Sequence, residues 1–244
     1  MIRNPPWLMG LLMLSMSIAA HGANVTFVGA GGVDPYTTAS NWDTNSLPGR
    51  SDDAVVKGRF TLNDGSTQNV NSLEVNGGGS FIQNGTLNVT NDIDLNSGLE
   101  VQGKGNLTWG GLATIGDATR TDVFSLVNPV EDKAVGKDLT VAADGLLRFR
   151  FFAFPAGMPG NTTPVINLSG DLTFTAGSEL EVKLEGALKG APIALGSYLL
   201  IDGARVTGAL PKLILTNFDA GQNGQFVLQK HQNGIYLTSA ELKQ

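Results

Sequence analysis

The sequence predicts an all-β chain folded as a right-handed parallel β-helix, a solenoid of about 20 residues per coil closed by a C-terminal β cap. Three observations carry that expectation. Short apolar alternations recur from residue 72 onward: Leu73-Glu74-Val75, Phe81-Ile82, Leu87-Asn88-Val89, Ile93-Asp94-Leu95, Leu99-Glu100-Val101, Leu107-Thr108-Trp109 and Leu112-Ala113-Thr114-Ile115. Each reads as a strand of three or four residues with period two. Their centres lie near 74, 82, 88, 94, 100, 108 and 114, so every third strand returns after about 20 residues. Finally, the chain holds 32 glycines in 244 residues, about twice the usual ~7% share, and many fall with asparagines between the strands, where corners need them. The alternative is a β-sandwich or jelly roll, but its strands are expected 8–12 residues apart, and these stand closer.

The elements follow in order. Arg3 is the one positive charge before an apolar run from Trp7 to Ala20, and small residues follow at Ala19, Ala20, Gly22 and Ala23. That layout is a secretory signal peptide over residues 1–23. As a helix the run would span about 21 Å, short of the ~30 Å hydrocarbon core, so the mature chain is not expected to insert in a membrane. Residues 24–190 form the solenoid body with an N-terminal cap segment. In its repeats Leu73, Val75, Leu87, Val89, Ile93, Leu95, Leu99, Val101 and Leu107 point inward, and Asn, Asp, Thr and Glu point to water. Past residue 116 the pattern loosens and resumes at Val123–Val127, Leu139–Val141, Leu146–Phe154, Val165–Leu168, Leu172–Thr175 and Leu180–Leu184. Phe154 to Pro164 is a Pro/Gly-rich loop projecting from the body. Residues 191–244 carry longer strands and read as the cap, since a bare solenoid end exposes core and strand edges.

Composition narrows the function. With no Cys there is no disulfide framework, Cys-ligated metal or thiol nucleophile. A net charge of −6 argues against nucleic acid and anionic lipid, which need a Lys/Arg surplus. After leader removal the single histidine is His231, placed where a strand enters an Asn233-Gly234 hairpin turn. A catalytic triad or multi-histidine site has little to build on.

Both ends of the chain resemble a known group. Asn41-Trp42-Asp43 through Leu47-Pro48-Gly49-Arg50-Ser51-Asp52-Asp53-Ala54-Val55-Val56 looks like the opening of exported bacterial repeat proteins. Their bodies are strings of strands like Ser72-Leu73-Glu74-Val75-Asn76-Gly77-Gly78. Gly196-Ser197-Tyr198-Leu199-Leu200-Ile201-Asp202-Gly203 and Asn233-Gly234-Ile235-Tyr236-Leu237-Thr238 resemble their closing strands. The group is the autotransporter-associated β-strand repeat proteins, and the likeness covers about residues 24–240. It implies an exported, passenger-like module. Large members continue into an outer-membrane barrel or a sorting helix with a basic tail. Glu241-Leu242-Lys243-Gln244 matches neither, so attachment is expected through another molecule.

Several local groupings invite chemistry. Asp52-Asp53 after Gly49-Arg50 resembles the acid pairs of β-helical polysaccharide hydrolases and lyases, but the sequence shows no set of further acids with a Lys or Arg on neighbouring coils, so a capping or turn role is expected. Only a cleft joining the pair to a second acid and Lys57 or Arg59 would favour catalysis. Asp92-Ile93-Asp94-Leu95-Asn96-Ser97-Gly98 approaches a Ca²⁺ loop, but its glycine is one place late and the closing Glu is missing. No cofactor is expected; Ca²⁺ is the one ion these acidic pairs suit. Gly29 to Gly32 precede no helix pattern, so they cradle no phosphate, and Thr173-Phe174-Thr175 is a single copy of a motif that works only as an array. The best candidate for partner binding is Arg148-Phe149-Arg150-Phe151-Phe152-Ala153-Phe154: alternation buries Phe149 and Phe151 and turns Phe152 and Phe154 outward, beside Arg148 and Arg150.

The expected function is that of an exported, non-catalytic structural or adhesive module that presents loops to a cell-surface or matrix glycan or protein. A carbohydrate-binding module is the first alternative and requires an exposed aromatic or Asp/Asn groove. A β-helical polysaccharide lyase or hydrolase is the second and requires at least two carboxylates and a basic group together on one face.

Overall fold

The computed structural model describes residues 22–29, 32–117, 121–128, 131–153, 164–222 and 224–239. The predicted signal peptide therefore lies outside the described residues up to residue 21, as do Phe154 and the projecting loop as far as residue 163.

Strands arrive in successive groups. β1 (Asn24–Phe27) and β2 (Val33–Pro35) are followed by three triplets. These are β3 (Asp53–Val56), β4 (Arg59–Leu62) and β5 (Thr67–Val70); β6 (Ser72–Val75), β7 (Ser80–Gln83) and β8 (Thr86–Val89); and β9 (Ile93–Leu95), β10 (Leu99–Gln102) and β11 (Asn106–Ile115). Then come β12 (Asp122–Val127), β13 (Lys133–Val141), β14 (Gly145–Phe151) and β15 (Ile166–Leu168). β16 (Asp171–Phe174), β17 (Glu179–Leu184) and β18 (Ser197–Asp202) lead to β19 (Arg205–Gly208), β20 (Lys212–Thr216) and the hairpin β21 (Phe226–His231) and β22 (Gly234–Ser239).

Each strand pairs in parallel with its counterpart one group away, which makes three ladders. The first runs β1-β3-β6-β9, through the second halves of β11 and β13, to β16 and β19. The second is β2-β4-β7-β10-β12-β14-β17-β20. The third is β5-β8, through the first halves of β11 and β13, to β15 and β18. β11 and β13 belong to two ladders, and their pairing shifts register between Trp109 and Leu112. Antiparallel pairing among the named strands is confined to β18–β22 and β21–β22, at the C-terminal end. Such parallel ladders run against the antiparallel pairing of the sandwich or jelly-roll alternative.

All three ladders turn their apolar side chains into one core cluster. Every residue expected inward between Leu73 and Leu107 is buried, at 3% exposure or less. The 20-residue step is real but local. Leu73 faces Ile93 and Ile93 faces Ala113, whereas Ala113 faces Leu139, Leu139 faces Leu172 and Leu172 faces Val206. After residue 115 the strands lengthen and the connections between them grow, so the step along this ladder rises to 26 residues and then to 33 and 34. At the other end the pairing starts earlier than the apolar pattern announces. β5 already stacks on β8, though Thr67-Gln68-Asn69-Val70 has a single apolar residue.

The corner glycines serve a different purpose from the one their type suggests. Gly79 and Gly103 have positive φ, but Gly77, Gly85, Gly105 and Gly110 are not among the left-handed residues. A Cβ at Gly77 would lie 1.9 Å from the Gly58 carbonyl oxygen, one at Gly105 2.2 Å from that of Ile82, and one at Gly110 2.3 Å from that of Thr90. Those glycines let neighbouring groups of strands approach at a corner. At Lys104, a left-handed residue that is neither glycine nor asparagine (φ 71°), the turn is braced by its backbone N–H donating to Asp132 Oδ1 at 2.7 Å. Burial of Asp132 pushes its carboxyl up to about 7, against the opposing hydrogen bonds from the Lys104 and Gly105 backbone.

Polar side chains also link the groups. Asn91 donates to Asn71, Asn96 to Asn76 and Asn88 to Asn69, each about one group along the ladder. At the N-terminal end Phe27, Tyr36, Trp42 and Phe60 pack edge to face, with Trp42 Nε1 donating to the Tyr36 carbonyl at 2.8 Å. This is the structural content of the Asn41-Trp42-Asp43 opening.

Candidate binding groove

The strands of the third ladder place one outward row in register. Asn69 faces Asn88, Asn88 faces Thr108, Thr108 faces Val135 and Val135 faces Asn167. Their inward neighbours Val70, Leu87, Val89, Leu107, Ala134, Ile166 and Leu168 are buried, so alternation fixes the row on the surface. Together with the adjacent corner, which carries Arg50, Thr90, Gly110, Lys137 and Ser169, the row lines an open groove of about 540 Å³. A second hollow of about 350 Å³, lined by Pro48, Gly49, Arg50, Thr67, Gln68 and Asn69, shares Arg50 and Asn69 with the groove and prolongs it.

Trp109 forms part of the groove wall while remaining only 4% exposed. Its indole lies over the backbone of Gly136, where a Cβ would come within 1.8 Å of the ring. Trp109 Nε1 donates to the Asp138 carbonyl at 2.9 Å. Glycine at 136 is thus what admits the ring.

The ionisable residues lining the groove and its extension are Arg50 and Lys137, with no Asp or Glu among them. Asp138, next to Lys137, has Oδ2 3.7 Å from Lys137 Nζ and uses Oδ1 to accept the Asp171 N–H at 2.7 Å. In the row itself Thr108 Oγ1 donates to Asn88 Oδ1 at 2.7 Å, and Asn88 Nδ2 donates to Asn69 Oδ1 at 3.1 Å. The arrangement offers neutral hydrogen-bonding groups, an apolar wall and two cations. General acid–base catalysis by a carboxylate pair has no such pair among the lining residues.

The residues singled out from sequence lie elsewhere. Arg148 and Arg150 project from β14 on the second ladder. Arg148 pairs with Glu181, and Arg150 pairs with Glu100 at 3.0 Å and with Glu185 at 3.1 Å. Lys183 adds a 3.0 Å contact to Glu185. Burial works to raise the Glu185 carboxyl, but hydrogen bonds and charge from Lys183 and Arg150 outweigh it and hold the group below its usual range. Phe149 and Phe151 are buried as alternation requires, and Phe152 is 42% exposed. Its ring lies 3.3 Å from where a side chain on Gly186 would begin. Phe154 lies outside the described residues.

The acidic pairs hold turns. Asp52 accepts from the backbone N–H of Ala23 and Gly49, Asp53 accepts from Asn71 and Ser72, and Asp92 accepts from the Leu112 N–H. Asp94 stands outward beside Glu74 and Asp92, and burial together with both charges pushes its carboxyl up. Another acidic group, unannounced by spacing, is Asp117, Asp122 and Asp144, whose carboxylate oxygens lie within 4.8 Å of one another. Their oxygens are the donor type a hard cation takes. Each of the three also makes a polar or electrostatic contact of its own. His231 ends β21 at the exposed hairpin turn, its ring against Tyr236.

The groove escaped the sequence reading because its parts are far apart in the chain. The recurrence of Asn69, Asn88 and Thr108 at about 20 residues was the available signal. Among the described residues no helix is long and apolar enough to cross a membrane. Compared with protein-family models, curated proteins and solved structures, the chain finds no match in any of the three.

Proposed function

We propose that this protein is an exported, non-catalytic structural or adhesive module: a right-handed parallel β-helix of the autotransporter-associated β-strand repeat kind, offering one outer face to a cell-surface or matrix partner. The observation that carries the reading is the set of three in-register parallel ladders around one core. Chains that return every third strand to the same ladder build a rod whose cohesion is local and cumulative. Parallel crossovers are right-handed in nearly all proteins, which sets the proposed hand. A rod with rungs ~4.8 Å apart holds outward side chains in fixed rows, a suitable surface for an extended partner.

The groove of Asn and Thr side chains favours the glycan among the partners expected from sequence, because it meets the requirement set for a carbohydrate-binding module. The test is expression of the full-length chain in a bacterial host, with fractionation, N-terminal sequencing and retention on intact cells or matrix. An exported product that starts near Ala23 and stays on the surface supports the reading. An unprocessed cytosolic product, or an exported one that no surface retains, overturns it.

A further inference from the structure

We infer that the groove along β5, β8, β11, β13 and β15 binds a linear acidic polysaccharide whose charge is carried by carboxylates, as in a polyuronate. This rests on the surface-module reading and names the ligand class of that surface.

The spacing comes first. Consecutive residues of the row, from Asn69 to Asn167, sit on adjacent parallel strands, so they are ~4.8 Å apart. That is close to the length of one sugar ring in an extended chain, and four such steps give a track of roughly 19 Å. Each rung can therefore meet a successive ring.

Hydrogen-bonding capacity is left over along the track. Asn69 accepts from Asn88, and its own amide N–H groups donate to no partner among the described residues. The Asn167 side chain has no partner there either, and Ser169 uses its hydroxyl only toward the Gly136 carbonyl at 3.5 Å. Sugar hydroxyls both donate and accept, and they match mixed amide and hydroxyl groups better than an apolar peptide would. Val135, 42% exposed, gives the C–H faces of the rings an apolar surface.

Charge chooses among glycans. The chain carries a net −6, yet the groove and its extension are lined by Arg50 and Lys137 and by no carboxylate. Arg50 forms no ion pair among the described residues. Backbone pairing places the two cations on corners four groups apart: Asn71 bonds to Asp52, Asn91 to Asn71, Gly111 to Asn91, and Leu112 faces Asp138. One cation thus stands toward each end of the track. Two cations do not suit a polyphosphate, which needs many contacts to displace its counterions. They do suit a chain with one carboxylate per ring and hydroxyls between.

The experiment measures binding of oligogalacturonate and of a neutral oligosaccharide of equal length to the purified exported protein. Calorimetry gives the affinity. Tryptophan emission gives the location, since Trp109 and Trp42 are the tryptophans after residue 23 and Trp42 is buried at the N-terminal end. The expected result is saturable oligogalacturonate binding with an emission change, at least tenfold weaker for the neutral chain and in Arg50→Gln with Lys137→Gln. Lys212→Gln, on the second ladder, should leave binding within twofold. Absence of oligogalacturonate binding, equal binding of the neutral chain, or a double variant within twofold of wild type overturns the assignment. Surface retention is scored on the same double variant. Retention that survives loss of oligogalacturonate binding overturns the groove as the surface contact while leaving the module reading standing. A wild-type protein that binds the oligosaccharide yet is neither exported nor retained overturns the module reading alone.

Discussion

Gly136→Ala tests the packing of the groove wall. The residue sits buried in β13 opposite Trp109 and is not left-handed, so alanine meets no backbone objection. By itself such a change in a strand stabilises by about 0.5–1 kcal/mol, through the lost freedom of the unfolded glycine. Here the new Cβ would fall 1.8, 2.2 and 2.3 Å from Trp109 Cε2, Cδ2 and Cζ2, so the indole must move by more than an ångström. That displacement breaks the 2.9 Å bond from Nε1 to the Asp138 carbonyl. Overpacking costs about 1–3 kcal/mol, and an orphaned buried donor costs about 1–3 kcal/mol more. The net expectation is a destabilisation of about 2–4 kcal/mol, with Trp109 emission shifted to the red. Urea unfolding followed by circular dichroism and emission reads both. A double-mutant cycle isolates the cause: in a Trp109→Ala background the same Gly136→Ala change should be neutral or stabilising. If alanine at 136 costs nothing, or costs the same in both backgrounds, the indole is not what the glycine accommodates.

Three further perturbations probe the rest of the fold. Gly77→Ala drives a Cβ to 1.9 Å from the Gly58 carbonyl oxygen, where backbone cannot yield, while Gly78→Ala meets at nearest the Ser97 hydroxyl at 3.2 Å; urea midpoints should show a large loss, about 3 kcal/mol or more, for the first and a small one for the second, and equal losses would contradict the close-approach role of the corner glycines. Arg148→Met strips Glu181, 7% exposed, of its guanidinium and leaves it the Thr216 hydroxyl, so a loss of about 2–4 kcal/mol is expected, with Arg148→Met/Glu181→Met recovering most of it; a double variant as unstable as the single refutes this. Asp132 has its folded pKa raised by burial to about 7 against about 3.9 unfolded, so the folded state holds the extra proton between those values and stability falls as pH rises through that window. Asp132→Asn still accepts the Lys104 N–H and should remove that pH-dependent loss, so wild type and variant that lose stability in parallel between pH 4.5 and 8 would refute the shift.

The legibility of the sequence follows from what period-two alternation encodes. Where strands are short and corners brief, as from Leu73 to Ile115, one apolar column per ladder is visible as a repeated spacing, and the buried residues follow from it. The same logic is blind at Thr67-Gln68-Asn69-Val70, because a strand at the margin of the core needs one inward residue and takes its other stabilisation from backbone pairing with β8. It also overextends the period past Ile115, since parallel pairing fixes which strands meet and leaves the length of each connection free. Charge beside aromatics makes Arg148 and Arg150 candidates for a partner surface, and their ion pairs are not legible in the same stretch. Their carboxylate partners, Glu100, Glu181 and Glu185, come from β10 and from β17 and its C-terminal end, which only the ladder brings alongside. A side chain's face is local information, whereas its neighbours across the ladder are not.

That distinction explains why the groove and the ion-pair surface differ though both are outward rows of the same fold. On the second ladder opposite charges meet across rungs, and Arg150 reaches two strands along to Glu100, so its charge is spent within the protein. On the third ladder the rungs present Asn, Asn, Thr, Val and Asn, which satisfy one another incompletely, and the cations stand on the corner beside them with no carboxylate in the lining. Isolated surface ion pairs stabilise by at most about 1 kcal/mol, so leaving Arg50 without one sacrifices little folding energy. A rigid row of partly spent donors, with Arg50 unpaired among the described residues and Lys137 3.7 Å from Asp138, would have its polar groups already placed for the proposed extended ligand, the ordering cost being met in folding instead of in binding. The two rows therefore differ in kind: the charged one ties neighbouring strands together through ion pairs, and the neutral one is the surface on which the proposed ligand would lie.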